Sequence, residues 1–264
     1  MLNDQFNIHK YKTAYENSLQ YDPFPSVLIE NFFSPTYLQS IQNSFPKFED
    51  DVWHIYDNPL EKKRSCNSWN IFPPIIYNCF QVLNSPEFVA TISNITGLKL
   101  IADSGLHGGG LHVHGPGGIL NPHLDYDQHP KLPLQRRINL IVYVHPKYHP
   151  SFGGQLGFWG HDQCENLPAN LFKVIEPIPN SAILFDTSKN SWHGLVRPLT
   201  NSSVFYRMSL AVYYLSERQH PINGARERAL YAPTESQRTS PEILELIRKR
   251  SDSTDFASAY KHKK

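Results

Sequence analysis

Two histidines, one aspartate and one arginine carry the chemistry in this sequence. His123 and Asp125 stand in Asn121-Pro122-His123-Leu124-Asp125, His193 in Trp192-His193-Gly194, and Arg207 in Tyr206-Arg207-Met208-Ser209. Two imidazoles and one carboxylate are the ligand set of a mononuclear iron(II) facial triad, which leaves coordination positions open. Arginine offers a planar, permanently charged fork that matches a carboxylate. Together they predict an iron centre with room for a chelating cosubstrate and O2, and a fixed cation for the far end of a dicarboxylate. Thirteen histidines make a chance His-x-Asp common. The ordered set, each member on a plausible strand, is much harder to reach by accident.

Each residue needs a rigid element beneath it. In a strand, residues i and i+2 share a face. With His123 and Asp125 on one strand, both reach one metal while Leu124 turns away, and His193 returns on another strand. Residues 204–214 read as a strand with Phe205, Arg207, Ser209, Ala211 and Tyr213 on one face. The small residues beside Arg207 leave room for a ligand, and Ser209 is placed to donate a second hydrogen bond. Residues 137–144 put Asn139, Ile141 and Tyr143 on one face, with Leu140, Val142 and Val144 toward the core. His112 and His114 form a His-x-His pair of the cupin kind, but no glutamate follows at the required spacing, so they are read as pocket lining.

Composition agrees with a folded domain. The chain has 264 residues, 40% hydrophobic and 12% aromatic, enough for a real core. A net charge of +1 gives no general reason to bind nucleic acid. No apolar run approaches the ~20 residues that span a membrane, and residues 1–7 do not read as a signal peptide. Three well-separated cysteines suggest reduced thiols and a cytoplasmic location. One domain over 1–264 is expected, mainly β with flanking helices around a double-stranded β-helix (jelly-roll) core. Residues 1–100 form a supporting region with a strand at 23–30 and helices starting at Ser34-Pro35 and Ser85-Pro86. Residues 101–215 are the core of short strands and Gly/Pro turns. Residues 216–264 are a polar extension with a helix from Ser240-Pro241, whose stripe is Ile243, Leu244 and Ile247, and a solvated tail at 261–264. The glycines at 108–110 and 117–118 suggest space in the pocket, and Gly153 and Gly154 a tight turn or close approach. Asp127 and His129 either face substrate or cap a turn. Arg136 and Arg137 are a surface pair or meet an anionic group. Trp159 and Trp192 are core or pocket wall.

From His107 to Tyr214 the sequence resembles the Fe(II)/2-oxoglutarate-dependent dioxygenases, most like their prolyl-hydroxylase-like branch. The matching pieces are residues 117–125, 136–144, 153–159, 192–194 and 207–214. The resemblance implies Fe(II), 2-oxoglutarate as cosubstrate, O2, and stimulation by ascorbate. It implies hydroxylation of an unactivated C–H bond with release of succinate and CO2. It makes His123, Asp125 and His193 the metal and catalytic set, and Arg207 with Ser209 the carboxylate anchor. Tyr143 and Asn139 become pocket residues. Where the relatives have a tyrosine before the Gly-rich turn, the nearest equivalent is His114. Related halogenases replace the ligand carboxylate with a small residue, so Asp125 favours hydroxylation. Tyr213 stands where nucleic-acid demethylases of the superfamily carry a second arginine, which argues against a nucleic-acid partner. The expected substrate is a prolyl or other amino-acid residue. The alternatives are a free amino acid or metabolite, or a silent metal-binding or sensor protein on the same fold. Substrate choice resides in loops around the barrel mouth, which these motifs do not specify.

Overall fold

The computed structural model describes residues 1–200, 205–218 and 226–252. The strands in chain order are β1 Ser26–Ile29, β2 His54–Asn58, β3 Glu61–Cys66, β4 Ile101–Ala102, β5 Gly110–His114, β6 Ile119–Leu120 and β7 His123–Leu124. They continue with β8 Leu134–Tyr143, β9 Leu156–Asp162, β10 Leu167–Ile175, β11 Ala182–Asp186, β12 His193–Leu195, β13 Arg207–Glu217 and β14 Leu230–Tyr231. The helices are α1 Ile8–Tyr21, α2 Pro35–Ser44, α3 Pro74–Leu83, α4 Pro86–Thr96 and α5 Pro241–Ser251.

Two antiparallel sheets make the jelly roll. The larger runs β1-β11-β8-β13-β5-β3-β2, with β4 on β13 and β6 on β3; the smaller runs β10-β9-β12-β7-β14. Both recruit strands from outside 101–215: β1, β2 and β3 from the preceding region, and β14 from the following one. Period-two alternation divides the larger sheet cleanly. Leu140 and Val142 of β8, with Leu210 and Val212 of β13, face an apolar layer that includes Phe80, Phe88 and Ile92 of the helices. The opposite face carries Asn139, Arg207, Ser209 and Tyr213 into the interior between the sheets.

The helices follow local sequence rules. Ser85 caps α4 by accepting from the Phe88 amide at 3.2 Å, and Gly97 ends it in the left-handed region. Ser34 starts α2 without a side-chain capping bond. α1 and α3 were not separately predicted. The first is capped by Asn7, which accepts from the Lys10 amide at 2.9 Å. In α5 the apolar stripe is only partly buried: Leu244 is exposed, and the buried residue is Arg250, paired with Glu61. The tail at 261–264 and Val204 lie outside the described residues. Among the described residues no helix is long and apolar enough to cross a membrane.

One glycine decides a sheet contact. Gly110 has φ +94°, and a Cβ there would lie 2.2 Å from the carbonyl oxygen of Cys66 on β3. Gly110→Ala must therefore strain the backbone and push β5 from β3. A loss of more than about 2 kcal/mol is expected in urea unfolding; an unchanged midpoint would show that this approach is not needed.

Candidate metal centre

The smaller sheet brings the two separated histidines together. β12 pairs with β7 so that His193 lies opposite His123. Their ring centroids are 4.3 Å apart, and Tyr231 of β14 stacks on His123 from the other side. Asp125 is not on the same strand as His123, contrary to the sequence expectation: β7 ends at Leu124. The chain leaves the ladder there because Arg226 takes over the local hydrogen bonding. Its Nε donates to the Asp125 carbonyl at 3.0 Å, and its own carbonyl accepts from the Asp127 amide at 2.8 Å. The Asp125 carboxylate still reaches the histidines. Its oxygens lie 3.7 Å from His123 Nε2 and 3.8 Å from His193 Nε2. All three side chains are buried.

The tautomers favour metal binding. His123 Nδ1 lies 3.0 Å from the Asn121 carbonyl and His193 Nδ1 lies 2.9 Å from the Ser191 carbonyl. A carbonyl only accepts, so each Nδ1 carries the proton and each Nε2 presents a lone pair. That is the arrangement of metal-ligating histidine. A second cluster of Asp103, His107 and His129 is tighter, with ring and carboxylate atoms 3.0–3.3 Å apart. There the hydrogen bonds run the other way. His129 Nδ1 accepts from the amides of Lys131 and Leu132 at 3.1 and 2.9 Å, so its proton sits on Nε2, pointing into the cluster. This second group is a hydrogen-bonded turn cap and not a cation site. Metal titration should therefore give one site per chain, lost in His193→Ala and retained in His129→Gln. The converse pattern would exchange the roles of the two clusters.

Burial controls the charges. It lowers the His123 pKa to about 3, helped by neighbouring His193. Burial alone would raise that of Asp125, but His193, His123, Arg136 and the Tyr213 hydroxyl overcome it and hold the carboxyl at about 2. His112 is lowered to about 3 by burial and then by Lys63, and His114 is held well below its ordinary value by burial and then by Arg207. At neutral pH no proton has to leave His123 or Asp125 before a cation binds. A depressed histidine pKa also means that unfolding takes up protons. The stability of these histidines is fully present above about pH 6.5 and is lost as pH falls toward 3. Metal-free protein should lose stability from pH 7 to 4.5, by up to about 1.4 kcal/mol per unit per histidine. His112→Gln should flatten that slope, and an identical slope would contradict the assignment.

Beside these three side chains opens a cavity of about 410 Å³. Arg207 is held at one end, with Nε donating to the Gly154 carbonyl at 2.9 Å and Nη2 to Tyr143 Oη at 3.1 Å. Gly154, at φ +77°, is the close approach that the Gly-Gly pair suggested: a Cβ there would meet Leu199 and the Arg207 side chain. His114 lies directly across the ladder from Arg207, and neither of its buried ring nitrogens has a partner among the described residues. Ser209, His112, Ser65 and His54 form a row across β13, β5, β3 and β2. The cavity wall leading away from Arg207 is thus polar. Tyr143 contacts Arg207 from behind, whereas Asn139 and Ser209 line the cavity directly. Arg197 bonds the Pro150 carbonyl outside the cavity.

Other expectations change. The 108–110 glycines do not make empty space: a Cβ at Gly108 would meet the Arg136 guanidinium, and one at Gly109 the Ala211 carbonyl. A Cβ at Gly118 would likewise meet the Gly115 carbonyl. Asp127 pairs with Arg226 at 2.7 Å. Arg136 is buried and not a surface residue, while Arg137 meets Asp186 at 3.3 Å. Trp159 and Trp192 pack with Leu124 in an apolar cluster and do not line the cavity. Cys66, Cys79 and Cys164 are free. Sequence reasoning missed Lys63, Glu61, Tyr231 and Arg250, which all line the cavity; no local motif marks them. It did place Tyr213 on the Arg207 face but assigned it no task.

The sequence model of the 2OG-Fe(II) oxygenase superfamily matches residues 109–215, the segment that carries all four of the residues singled out first. Residues 109–215 therefore carry a 2OG-Fe(II) oxygenase domain. The chain is an oxidoreductase whose cofactors are Fe(II) and 2-oxoglutarate. No protein of curated function matches it by sequence. Among solved structures, a Pseudomonas putida prolyl-4-hydroxylase is 13% identical, with 79% of this chain and 99% of that one aligned and a TM-score of 0.55. A Trichoplax adhaerens prolyl hydroxylase, solved with a hypoxia inducible factor oxygen degradation domain peptide fragment, is 14% identical, covers 81% and 94%, and scores 0.56. SnoN, a non-heme alpha ketoglutarate dependent epimerase from nogalamycin biosynthesis, is 10% identical, covers 86% of each chain and scores 0.52. At such identities the likeness is one of fold.

Proposed function

We propose that His123, Asp125 and His193 hold the iron, that Arg207 anchors the far carboxylate of 2-oxoglutarate, and that the enzyme hydroxylates a C–H bond of a polar substrate. The observation that carries this reading is the pair of Nδ1–H groups donating to carbonyls, which turns both Nε2 lone pairs onto one point beside Asp125. When bound, Fe(II) would let 2-oxoglutarate and O2 supply the oxidising power, one oxygen atom going to succinate as CO2 leaves and the other to the substrate hydroxyl.

The chain's own residues do the positioning. Arg207 is pre-set by Gly154 and Tyr143, so little side-chain freedom is lost when a carboxylate arrives. Its remaining guanidinium donors make bidentate hydrogen bonds, Ser209 adds a hydroxyl donor, and His114 faces the same end with its ring nitrogens available. Ile141, Leu156 and Leu195 supply apolar wall that limits water near the reacting atoms.

Two substrate classes fit the fold: a prolyl or other amino-acid residue of a peptide, and a free amino acid or metabolite. The row Ser209, His112, Ser65 and His54 favours the second, because a polar wall rewards hydrogen-bonding groups along the ligand and gains little from an apolar ring. The third reading, a silent binder, is separated by turnover.

Titrating 2-oxoglutarate anaerobically into iron-loaded protein, followed by the visible charge-transfer band, tests the anchor. Arg207→Ala should weaken binding by about 2–5 kcal/mol, with Arg207→Lys intermediate because it keeps the charge and loses the fork. Under air, wild type should release succinate slowly without substrate, faster with ascorbate, and His193→Ala should release none. No succinate above that background across polar metabolites and prolyl peptides would leave only the silent-binder reading.

A further inference from the structure

Asp125 is the member of the triad that stands outside a strand, so its carboxylate needs another support. Tyr213 on β13 provides one. Its hydroxyl donates to Asp125 Oδ2 at 2.9 Å, with both groups buried. Burial, then the adjacent Asp125 charge, pushes the phenol far above its ordinary range, so it remains a donor.

The tyrosine is itself clamped. The Arg136 guanidinium carbon lies 3.8 Å from the Tyr213 ring centroid and 3.5 Å from that of Tyr126. Arg136 Nη2 also donates to Tyr126 Oη and to the carbonyl of His107. Gly108 has no side chain where this guanidinium passes. One buried cation thus joins the segment after β7, the strand β13 and the 103–109 turn. That turn is tied back to the segment after β7 through Asp103, His107 and His129.

We propose that Tyr213 is a positioning residue that engages Asp125 Oδ2 so that the carboxylate offers the metal Oδ1 alone, with Arg136 fixing the tyrosine. A carboxylate bound through one oxygen occupies one coordination position; one bound through both occupies two. A chelating cosubstrate and O2 together need three positions beyond the triad, so single-oxygen ligation keeps a six-coordinate centre open to both. The buried cation on the Tyr213 ring adds a cation–π attraction, stronger for being desolvated, which resists rotation of the ring away from Asp125. This inference rests on the assignment of Asp125 as a ligand.

The test uses full-length protein and Co(II) alone, whose visible absorption reports coordination number. Tyr213→Phe removes one oxygen atom. It should lower Co(II) affinity about tenfold, within the range for lost partners of metal ligands, and change the shape and intensity of the visible bands. Arg136→Lys keeps a charge and loses the planar stack, and should move both readouts in the same direction by less. It carries the test if Tyr213→Phe does not fold. Asp125→Ala is the reference and should abolish tight binding. If Asp125→Ala loses the metal while both other variants keep wild-type affinity and spectrum, the positioning role is overturned and the triad stands. If Asp125→Ala binds Co(II) as wild type does, the triad and the positioning role fall together.

Discussion

Two imidazoles and a carboxylate must converge in a dry interior without cancelling one another. A protonated imidazole beside Asp125 would form an ion pair and close the site to a cation. Burial prevents this for His123 by disfavouring its charged form, while the partners of Asp125 keep the carboxyl ionised. The backbone completes the arrangement. The Asn121 and Ser191 carbonyls each fix a tautomer, and each stands two residues before the histidine it orients. The His-x-Asp and Trp-His-Gly segments therefore do more than bring side chains near one another. They orient lone pairs, and the rest of the barrel holds those two short strands in register.

The larger sheet meets a different demand. One face must pack against helices and the other must stay polar deep inside the molecule. Strand periodicity meets both at once, because neighbouring residues on β8 and β13 take opposite faces. The cost of burying polar groups is reduced by placing them where they meet one another or a ligand. Arg207 rests on Tyr143 and Gly154, Glu61 meets Lys63 and Arg250, and Arg136 packs on two aromatic rings.

Much of this was legible from residue order. The faces of 137–144 and 205–213 followed from a period of two, and the starts of α2, α4 and α5 from Ser-Pro pairs. Illegible features had a common cause: they depend on partners far away in sequence. The end of β7 before Asp125 is imposed by Arg226. The burial of Arg136 needs a glycine at 108 and tyrosines at 126 and 213. The Glu61–Arg250 contact joins β3 to α5 across most of the chain. For His129 the sequence left substrate-facing and turn-capping open, because composition cannot show that its Nδ1 accepts from two amides.

The position of β13 has a consequence for how the molecule comes into being. It lies between β8 and β5 in the larger sheet and also pairs with β4, yet among the strands of that sheet it is the last in sequence. During synthesis β5 and β8 each expose an unpaired edge until residues 207–217 arrive, and such edges invite association with other chains. Pairings of this sequence separation also fold slowly, since loop closure precedes any reward. The segment that bears Arg207 is thus the one whose docking completes the larger sheet, and a chain truncated before it would lack both the proposed cosubstrate anchor and the centre of that sheet.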